Sequence, residues 1–288
     1  MKELIDKVTV VLVLYQEKEE IVIECLKKIR NFKIIIIDND NDLILKKNIL
    51  KDFNILQYIT NKKNIGFTKA ANIAINLVKT EYVLNLNADC LIEEKDIHEL
   101  ILSHKKYNNC FITSPTFYDN NNKISYNAGT FSNNNLKKEN LFFDGDVCVE
   151  WVLGSAILFK KGDMQKLGML DENYFLYFED EDICIKARKN NMSVIQVKKS
   201  KAQHVHGKMK TRSIFRNNYL RNYHFTYDEL YYYYKNHNQT HIYFGLKKKI
   251  FSYILKMLLN LIILKFSKSI YYFSRVKAFF DFSNNFKI

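Results

Sequence analysis

The chain has 288 residues, 47% hydrophobic and 26% charged, enough apolar material for one large α/β domain or a domain with an appendage, and too much for wholesale disorder. Its five cysteines, Cys25, Cys90, Cys110, Cys148 and Cys184, are widely spaced and form no C-x-x-C pair, which argues against a disulfide framework or a zinc knuckle and suits reduced core thiols. Residues 201–288 hold 16 basic and 3 acidic residues, the whole of the net charge of +13, while residues 1–200 balance at 28 of each. A basic tail on a neutral body is unlike a nucleic-acid coat and points to a local anionic partner, such as lipid headgroups or a phosphorylated substrate.

Met1 to Lys7 carries no apolar run, so no signal peptide is expected. Val8–Leu14 is a continuous β-branched run, the pattern of a buried parallel strand. A helix is expected over Glu19–Ile29, then a second buried strand, Lys33–Asp38, ending in a carboxylate. A helix near Leu43–Lys51, a short strand at Ile55–Tyr58, a helix at Gly66–Lys79 and a strand at Tyr82–Leu86 follow, the last running into Asn87-Ala88-Asp89. This alternation predicts a mostly parallel sheet with helices on both faces. Ligands of such sheets sit beyond the carboxyl ends of the strands, where Tyr15, Asp38 and Asp89 all fall.

After Pro115 the pattern changes: Asn120–Asn122 and Asn133–Asn135 punctuate short apolar runs and suggest loops and hairpins. A strand at Val149–Lys160, a helix over Asp180–Asn190 and a strand at Ser193–Val197 complete a body of residues 1–212. Residues 213–288 form a helical extension, with helices expected at Ser213–Asn236 and Leu246–Phe282. In the second, Lys249, Ser252, Lys256 and Asn260 make one polar stripe on an otherwise apolar helix. The charge-free stretch between Lys256 and Lys265 is well short of the roughly 20 residues a spanning helix needs. A basic amphipathic helix lying in a membrane interface fits this pattern, and so does a helix docked on the body.

Three groups of residues could carry chemistry. Asp89 at a strand edge can coordinate Mg²⁺ or Mn²⁺, which prefer oxygen ligands and bridge to a diphosphate. The acids Glu179-Asp-Glu-Asp182 open a helix, where they suit its dipole. They also follow the aromatic approach Tyr174–Tyr177, which would desolvate a carboxylate and poise it as a general base. His204 and His206 alternate along a strand-like segment and could face a metal, or be surface polar residues.

In order along the chain these pieces resemble glycosyltransferase family 2, in its rhamnosyltransferase-like branch with a GT-A fold. The resemblance covers roughly Val8 to His206. It rests on Leu14-Tyr15, with Gln16 where Asn is usual, on Ile-Asp38-Asn39, on Asn64-Ile-Gly66-Phe67 followed by Asn72, and on Leu86-Asn87-Ala88-Asp89. Its longest stretch runs from Trp151-Val-Leu-Gly154 through Gly168-Met-Leu-Asp171-Glu to Tyr177-Phe-Glu179-Asp180-Glu-Asp182-Ile-Cys184. Nucleotidyltransferases share the GT-A sheet, but their Gly-rich opening loop is absent here.

The resemblance implies an inverting transfer of a sugar, rhamnose or another hexose such as galactose, from a dTDP- or UDP-sugar to a lipid-linked glycan acceptor. It further implies that Tyr15, Asp38, Asn39, Asn64 and Asn87 hold the donor nucleotide, above a loop shaped by Gly66 and Phe67. Asp89 and His206 would hold Mn²⁺ or Mg²⁺, with Asn87 leaving one carboxylate fewer for it. Asp180 would be the general base, with Trp151 and Glu179 shaping the acceptor pocket. With the basic extension, these expectations place the protein in the cytoplasm, peripheral on the inner face of the membrane. The competing expectation is a non-catalytic protein of this fold that binds a membrane surface or RNA, with Tyr231–Tyr234 stacking on bases.

Overall fold

A strand of unbroken β-branched residues can be buried only if both faces of its sheet are covered. In the computed structural model, which describes residues 2–119, 121, 123–125, 128–129, 144–205, 214–237 and 240–286, that demand is met from the first strand. Along β1 (Val8–Leu14), Val8, Val10, Leu12 and Leu14 enter one apolar cluster, while Val11 enters another on the opposite face. In β2 (Lys33–Asp38), Ile34 and Ile36 join the first cluster, and Ile35 and Ile37 the second.

The first face is covered by α2 (Glu19–Lys28), α3 (Leu43–Asp52) and α5 (Glu94–Lys106), the second by α4 (Phe67–Leu77) and α7 (Glu179–Lys189). Two short helices, α1 (Lys2–Ile5) and α6 (Lys161–Lys166), complete the body.

The remaining strands are β3 (Gln57–Thr60), β4 (Tyr82–Leu86), β5 (Cys90–Ile92), β6 (Cys110–Tyr118), β7 (Ala128–Gly129), β8 (Val147–Val149), β9 (Trp151–Val152), β10 (Ala156–Lys160) and β11 (Ser193–His204). The main sheet runs β3-β2-β1-β4-β10-β6-β11-β5, with β8 paired to β11. Its first four strands are parallel, β10 lies antiparallel between β4 and β6, and β6–β11 is parallel again, so the sheet is mixed. A separate ribbon pairs β7 with β9.

Two expectations are corrected here. The strand expected over Val149–Lys160 is instead three pieces, and between the second and third the backbone N–H of Gly154 turns to Asp180. Pro115 lies inside the nine-residue strand β6, and a hairpin turn follows it as expected, with Tyr118 bridging Ile124 and Asp119 N–H donating to Lys123 O at 2.8 Å. Pairing of β6 with β10 stops at Thr113, so the missing N–H at 115 removes no bond to that neighbour. Asn133–Asn135 lies outside the described residues. Four of the five cysteines are buried as expected, and Cys148 is exposed.

Contacts divide the chain into two units, Met1–Asp171 with Glu179–Lys210, and Glu172–Phe178 with Thr211–Ile288. The second contains α8 (Ile214–His237), α9 (Thr240–Ile262) and α10 (Phe266–Phe286). The single helix expected over Leu246–Phe282 is therefore two, broken where Leu264 takes a left-handed φ of 55°. No glycine or proline marks this break. It lets α10 fold back so that Phe279 and Phe282 pack on Leu230 and Ile250.

The segment 172–178 belongs with these helices because of one carboxylate. Asp228 of α8 is fully buried, and its Oδ2 accepts the backbone N–H groups of Phe175, Leu176 and Tyr177 at 3.2, 3.1 and 3.3 Å. Phe178, at a left-handed φ of 68°, packs on the rings of Phe225 and Tyr232 of α8.

Burial raises the Asp228 carboxyl from an ordinary 3.8 to about 7 against the pull of these donors. The folded chain thus retains a proton that the unfolded chain loses as pH rises above 3.8, so this group's contribution to stability falls as pH rises toward 7. The Asp228→Asn variant is expected to lose that slope, measured as the thermal unfolding midpoint against pH. An unchanged slope would contradict the buried-carboxyl assignment.

Candidate active site

The carboxyl ends of β1, β2 and β4 open on one edge of the first unit, and its loops are built from asparagine and aspartate turns. Asp38, the last residue of β2, organises its own loop: Oδ1 accepts the N–H of Asp40 and Asn41 at 2.8 and 3.1 Å, and Oδ2 accepts Asp42 N–H at 3.1 Å and Tyr58 O–H at 3.3 Å. Asn39 bridges three loops, receiving Asn61 Nδ2 at 2.8 Å, donating to the Gly66 carbonyl at 3.1 Å and donating its backbone N–H to Leu14 O at 2.8 Å. Asn64 Oδ1 accepts Gly66 N–H at 2.9 Å, an Asx turn into α4. Gly66 itself has φ 90° and ψ 161°, a conformation essentially reserved for glycine. Asn72 then clamps Leu170, donating to its carbonyl at 2.9 Å and accepting its N–H at 3.2 Å.

Tyr15 follows β1, and its hydroxyl is buried without a hydrogen-bond partner among the described residues, so a ligand group there would satisfy it. Gln16, where the family resemblance has Asn, is held at a left-handed φ of 61° and is buried. Asn adopts that region more readily than Gln does, which gives a structural reason for the usual residue. Glu17, which the sequence motifs did not mark, turns its carboxylate back onto the N–H of Tyr15. Burial pushes it up to about 7, and the nearby charges of Asp89 and Asp38 push the same way.

Asp89 lies in the turn after β4, and its Oδ1 meets Nε2 of His204, the last residue of β11, at 3.1 Å. Neither is sealed off, with side chains 26% and 17% exposed. The carboxylate only accepts, so Nε2 carries the hydrogen in this pair, and releasing that nitrogen to a cation requires the other tautomer. A carboxylate oxygen beside an imidazole suits Mn²⁺. Among the described residues no three or more His, Cys, Asp or Glu converge as a metal site. That fits a cation that takes few protein ligands and completes its shell with substrate phosphates. His206, the expected ligand, lies outside the described residues.

The general-base candidate is tied to this edge through two backbone positions. Asp180, in the first turn of α7, accepts Gly154 N–H through Oδ2 at 2.7 Å and Glu181 N–H through Oδ1 at 2.9 Å. The helix-capping role and the base role of the acidic run thus coincide in one side chain. Burial raises the Asp180 carboxyl, while these N–H donors oppose the shift. Next to Gly154, Ser155 accepts Asn87 N–H through its carbonyl at 2.9 Å and Asn87 Nδ2 through Oγ at 3.3 Å. Gly154-Ser155 therefore joins Asp180 to the Asn87–Asp89 turn, a connection invisible in the motifs. Glu179 is buried, and the half-buried Trp151 lies so close over Gly129 that a Cβ there would come within 3.1 Å of its ring.

A cavity of about 570 Å³ opens at the other end of β4 and β10, lined among others by Lys79, Lys160 and Lys161. Two of these lysines are engaged, Lys160 with Glu81 at 3.2 Å and Lys161 with the Asn76 and Val78 carbonyls at 2.9 and 2.6 Å. The cavity holds none of the site residues.

Residues 9–163 match the sequence profile of Glycosyl transferase family 2. The chain belongs to glycosyltransferase family 2. It is 28% identical over 180 residues to the rhamnosyltransferase WbbL of Escherichia coli (strain K12), covering 54% of this chain and 66% of that protein. It is 25% identical over 211 residues to the low-salt glycan biosynthesis hexosyltransferase Agl10 of Haloferax volcanii, covering 67% of this chain and 65% of that protein. The matches thus span a little under two thirds of each of these curated relatives.

Among solved structures, GalNAc-T7 with UDP, GalNAc and Mn²⁺ superposes with a TM-score of 0.56 at 14% identity, over 71% of this chain and 44% of that one. The mannosyltransferase PcManGT of Pyrobaculum calidifontis, in complex with GDP-Man and Mn²⁺, gives 0.52 at 15% identity over 76% and 62%. These likenesses show the fold: a GT-A α/β sheet flanked by helices, here with C-terminal helices.

A Cβ on Gly154 would lie 3.0 Å from Asp180 Cβ and 3.2 Å from its Oδ2, so the Asp180 side chain would have to give way. The Gly154→Ala variant is expected to displace the carboxylate and lower sugar transfer, by less than the roughly hundredfold that a misplacement of about 1 Å can cost. Donor-nucleotide affinity, measured by titration calorimetry, is expected to stay unchanged.

Proposed function

We propose that this chain transfers a sugar from a nucleotide-sugar donor to a hydroxyl of a cell-surface glycan precursor, with inversion at the anomeric carbon. The observation that carries this reading is the Asp180–Gly154-Ser155–Asn87 connection, which ties a desolvated carboxylate to the metal-competent turn at Asp89. In the proposed step the acceptor oxygen forms a bond to the anomeric carbon as the bond from that carbon to the diphosphate oxygen breaks. Asp180 takes the hydroxyl proton, and the nucleoside diphosphate leaves with the bonding pair.

Tyr15, Asp38, Asn39, Asn64 and Asn87 receive the nucleotide, with Gly66 and Phe67 shaping the loop beneath it. Asp38 and Asn39 act mainly by holding the loops, since their side chains are engaged within the fold. Trp151 and Glu179 shape the acceptor side, where the indole offers a face to a sugar ring. Asp89 with His204 or His206 would hold a divalent cation, Mn²⁺ or Mg²⁺, which would supply positive charge against that of the departing diphosphate. Proton uptake by Asp180 is opposed by its two N–H donors and favoured by its burial. The transfer rate is therefore expected to fall on acidification as this group becomes protonated.

The relatives are named for rhamnosyl and hexosyl transfer, so the donor class includes dTDP-rhamnose and UDP-hexoses. The acceptor is proposed to be lipid-linked, at the inner face of the membrane, which the basic C-terminal helices meet peripherally. Among the described residues no helix is long and apolar enough to cross a membrane.

Asp180→Asn is expected to lower transfer roughly 10²- to 10⁴-fold, the range of a general base, while the nucleotide sugar still raises the unfolding temperature. Undiminished turnover in that variant, followed by release of nucleoside diphosphate, would exclude Asp180 as the base.

A further inference from the structure

The junction of α9 and α10 leaves a run of apolar side chains exposed. From Leu258 to Phe266 every residue except Asn260 and Lys265 is a large hydrophobic, and each is 45–76% exposed. Monomers rarely expose contiguous apolar surface of this kind without a partner. Successive helical residues point 100° apart, so Leu258, Leu259, Leu261 and Ile262 fan over about 160° of the helix end, with Asn260 opposite them. Ile263, Leu264 and Phe266 carry the exposed apolar surface on around the turn. Acyl chains can cover so broad and irregular a surface.

Three N–H groups of the corner are bonded within it. Ile263 N–H donates to Leu259 O at 3.1 Å, Leu264 N–H to Leu261 O at 3.1 Å and Lys265 N–H to Asn260 O at 2.8 Å. Asn218 Nδ2 reaches the Ser267 carbonyl at 2.9 Å, and Ser269 Oγ the Met257 carbonyl at 3.0 Å. The charge nearby has one sign. From Thr240 to Phe286 there are eight basic residues and a single acid, Asp281, and Asp281 is engaged by Lys277 at 2.7 Å. Lys256, Lys265 and Lys268 flank the corner, where long lysine stems can lie along acyl chains with their ammonium groups among phosphates.

We propose that the α9–α10 corner is a membrane-insertion tip, its apolar residues sinking into one leaflet of an anionic phospholipid bilayer while the flanking lysines bind headgroup phosphates. This rests on and deepens the peripheral attachment proposed above, placing the deepest contact at the end of a helical hairpin.

The test is flotation of the full chain with phosphatidylcholine vesicles, with and without phosphatidylglycerol, in the absence of any sugar donor. The intact protein is expected to float with the anionic vesicles. The double variant Leu261→Gln, Ile262→Gln is expected to bind at least tenfold more weakly with an unchanged melting temperature, since both side chains are exposed. Ile262→Trp is expected to shift its emission to the blue on vesicle addition. Equal flotation of the double variant, or no shift at position 262, would overturn the insertion tip. Failure to bind any vesicle, with self-association abolished by the double variant, would assign the surface to a second copy and overturn the proposal. Donor binding in the same preparations reports on the catalytic reading separately, so failure of either is distinguishable.

Discussion

The candidate site of the first unit is held together by one dipeptide, Gly154-Ser155. Gly154 donates its N–H to Asp180, and Ser155 accepts from Asn87 through its carbonyl and its hydroxyl oxygen. Because the two residues are adjacent, the base candidate and the turn bearing Asp89 are fixed relative to each other within a single peptide unit. The absence of a side chain at 154 is what lets the carboxylate approach, since a Cβ there would sit only 3.0 Å from that of Asp180. The Gly154 N–H is thereby committed to a side chain, while the Ser155 carbonyl meets Asn87 in the register of the β4–β10 ladder, just before β10 begins at Ala156.

Around this junction the protein handles three carboxylates in three ways. Asp38 is saturated by donors from its own loop and Tyr58, and serves as architecture. Glu17 is pushed up to about 7 by burial and by its acidic neighbours, so near neutrality part of the population is uncharged. Asp89 keeps a partly exposed carboxylate beside His204. An edge so arranged presents negative charge mainly at Asp89, where a cation and the diphosphate it carries would be attracted.

Much of this was legible in the sequence, for definable reasons. The buried strands at Val8–Leu14 and Lys33–Asp38 announce themselves because residues on both of their faces are apolar, and their bounds are as read. The acids at 179–182 and the asparagines at 64 and 87 stand out because they mark a helix start and turns beside the strands, where such residues are favoured. Long-range partners left no such mark. The His204–Asp89 contact joins residues 115 apart in the chain, and the role of Ser155 is carried largely by its backbone. Glu17 escaped notice because its perturbation arises from burial, which a single glutamate after a strand does not reveal. The break at Leu264 lacks glycine or proline and follows from the packing of α10 on α8. The basic, apolar extension was readable in composition; that its exposed residues gather at one corner was not.

The most direct test of the account is calorimetric titration of dTDP- and UDP-sugars with and without Mn²⁺, in the intact chain and in Asp89→Ala. Metal-dependent binding that Asp89→Ala abolishes is the predicted result; under saturation at about 100 times the dissociation constant it would also stabilise the fold by roughly 2.7 kcal/mol. No nucleotide binding under any metal condition, or binding indifferent to both Mn²⁺ and Asp89, would contradict it.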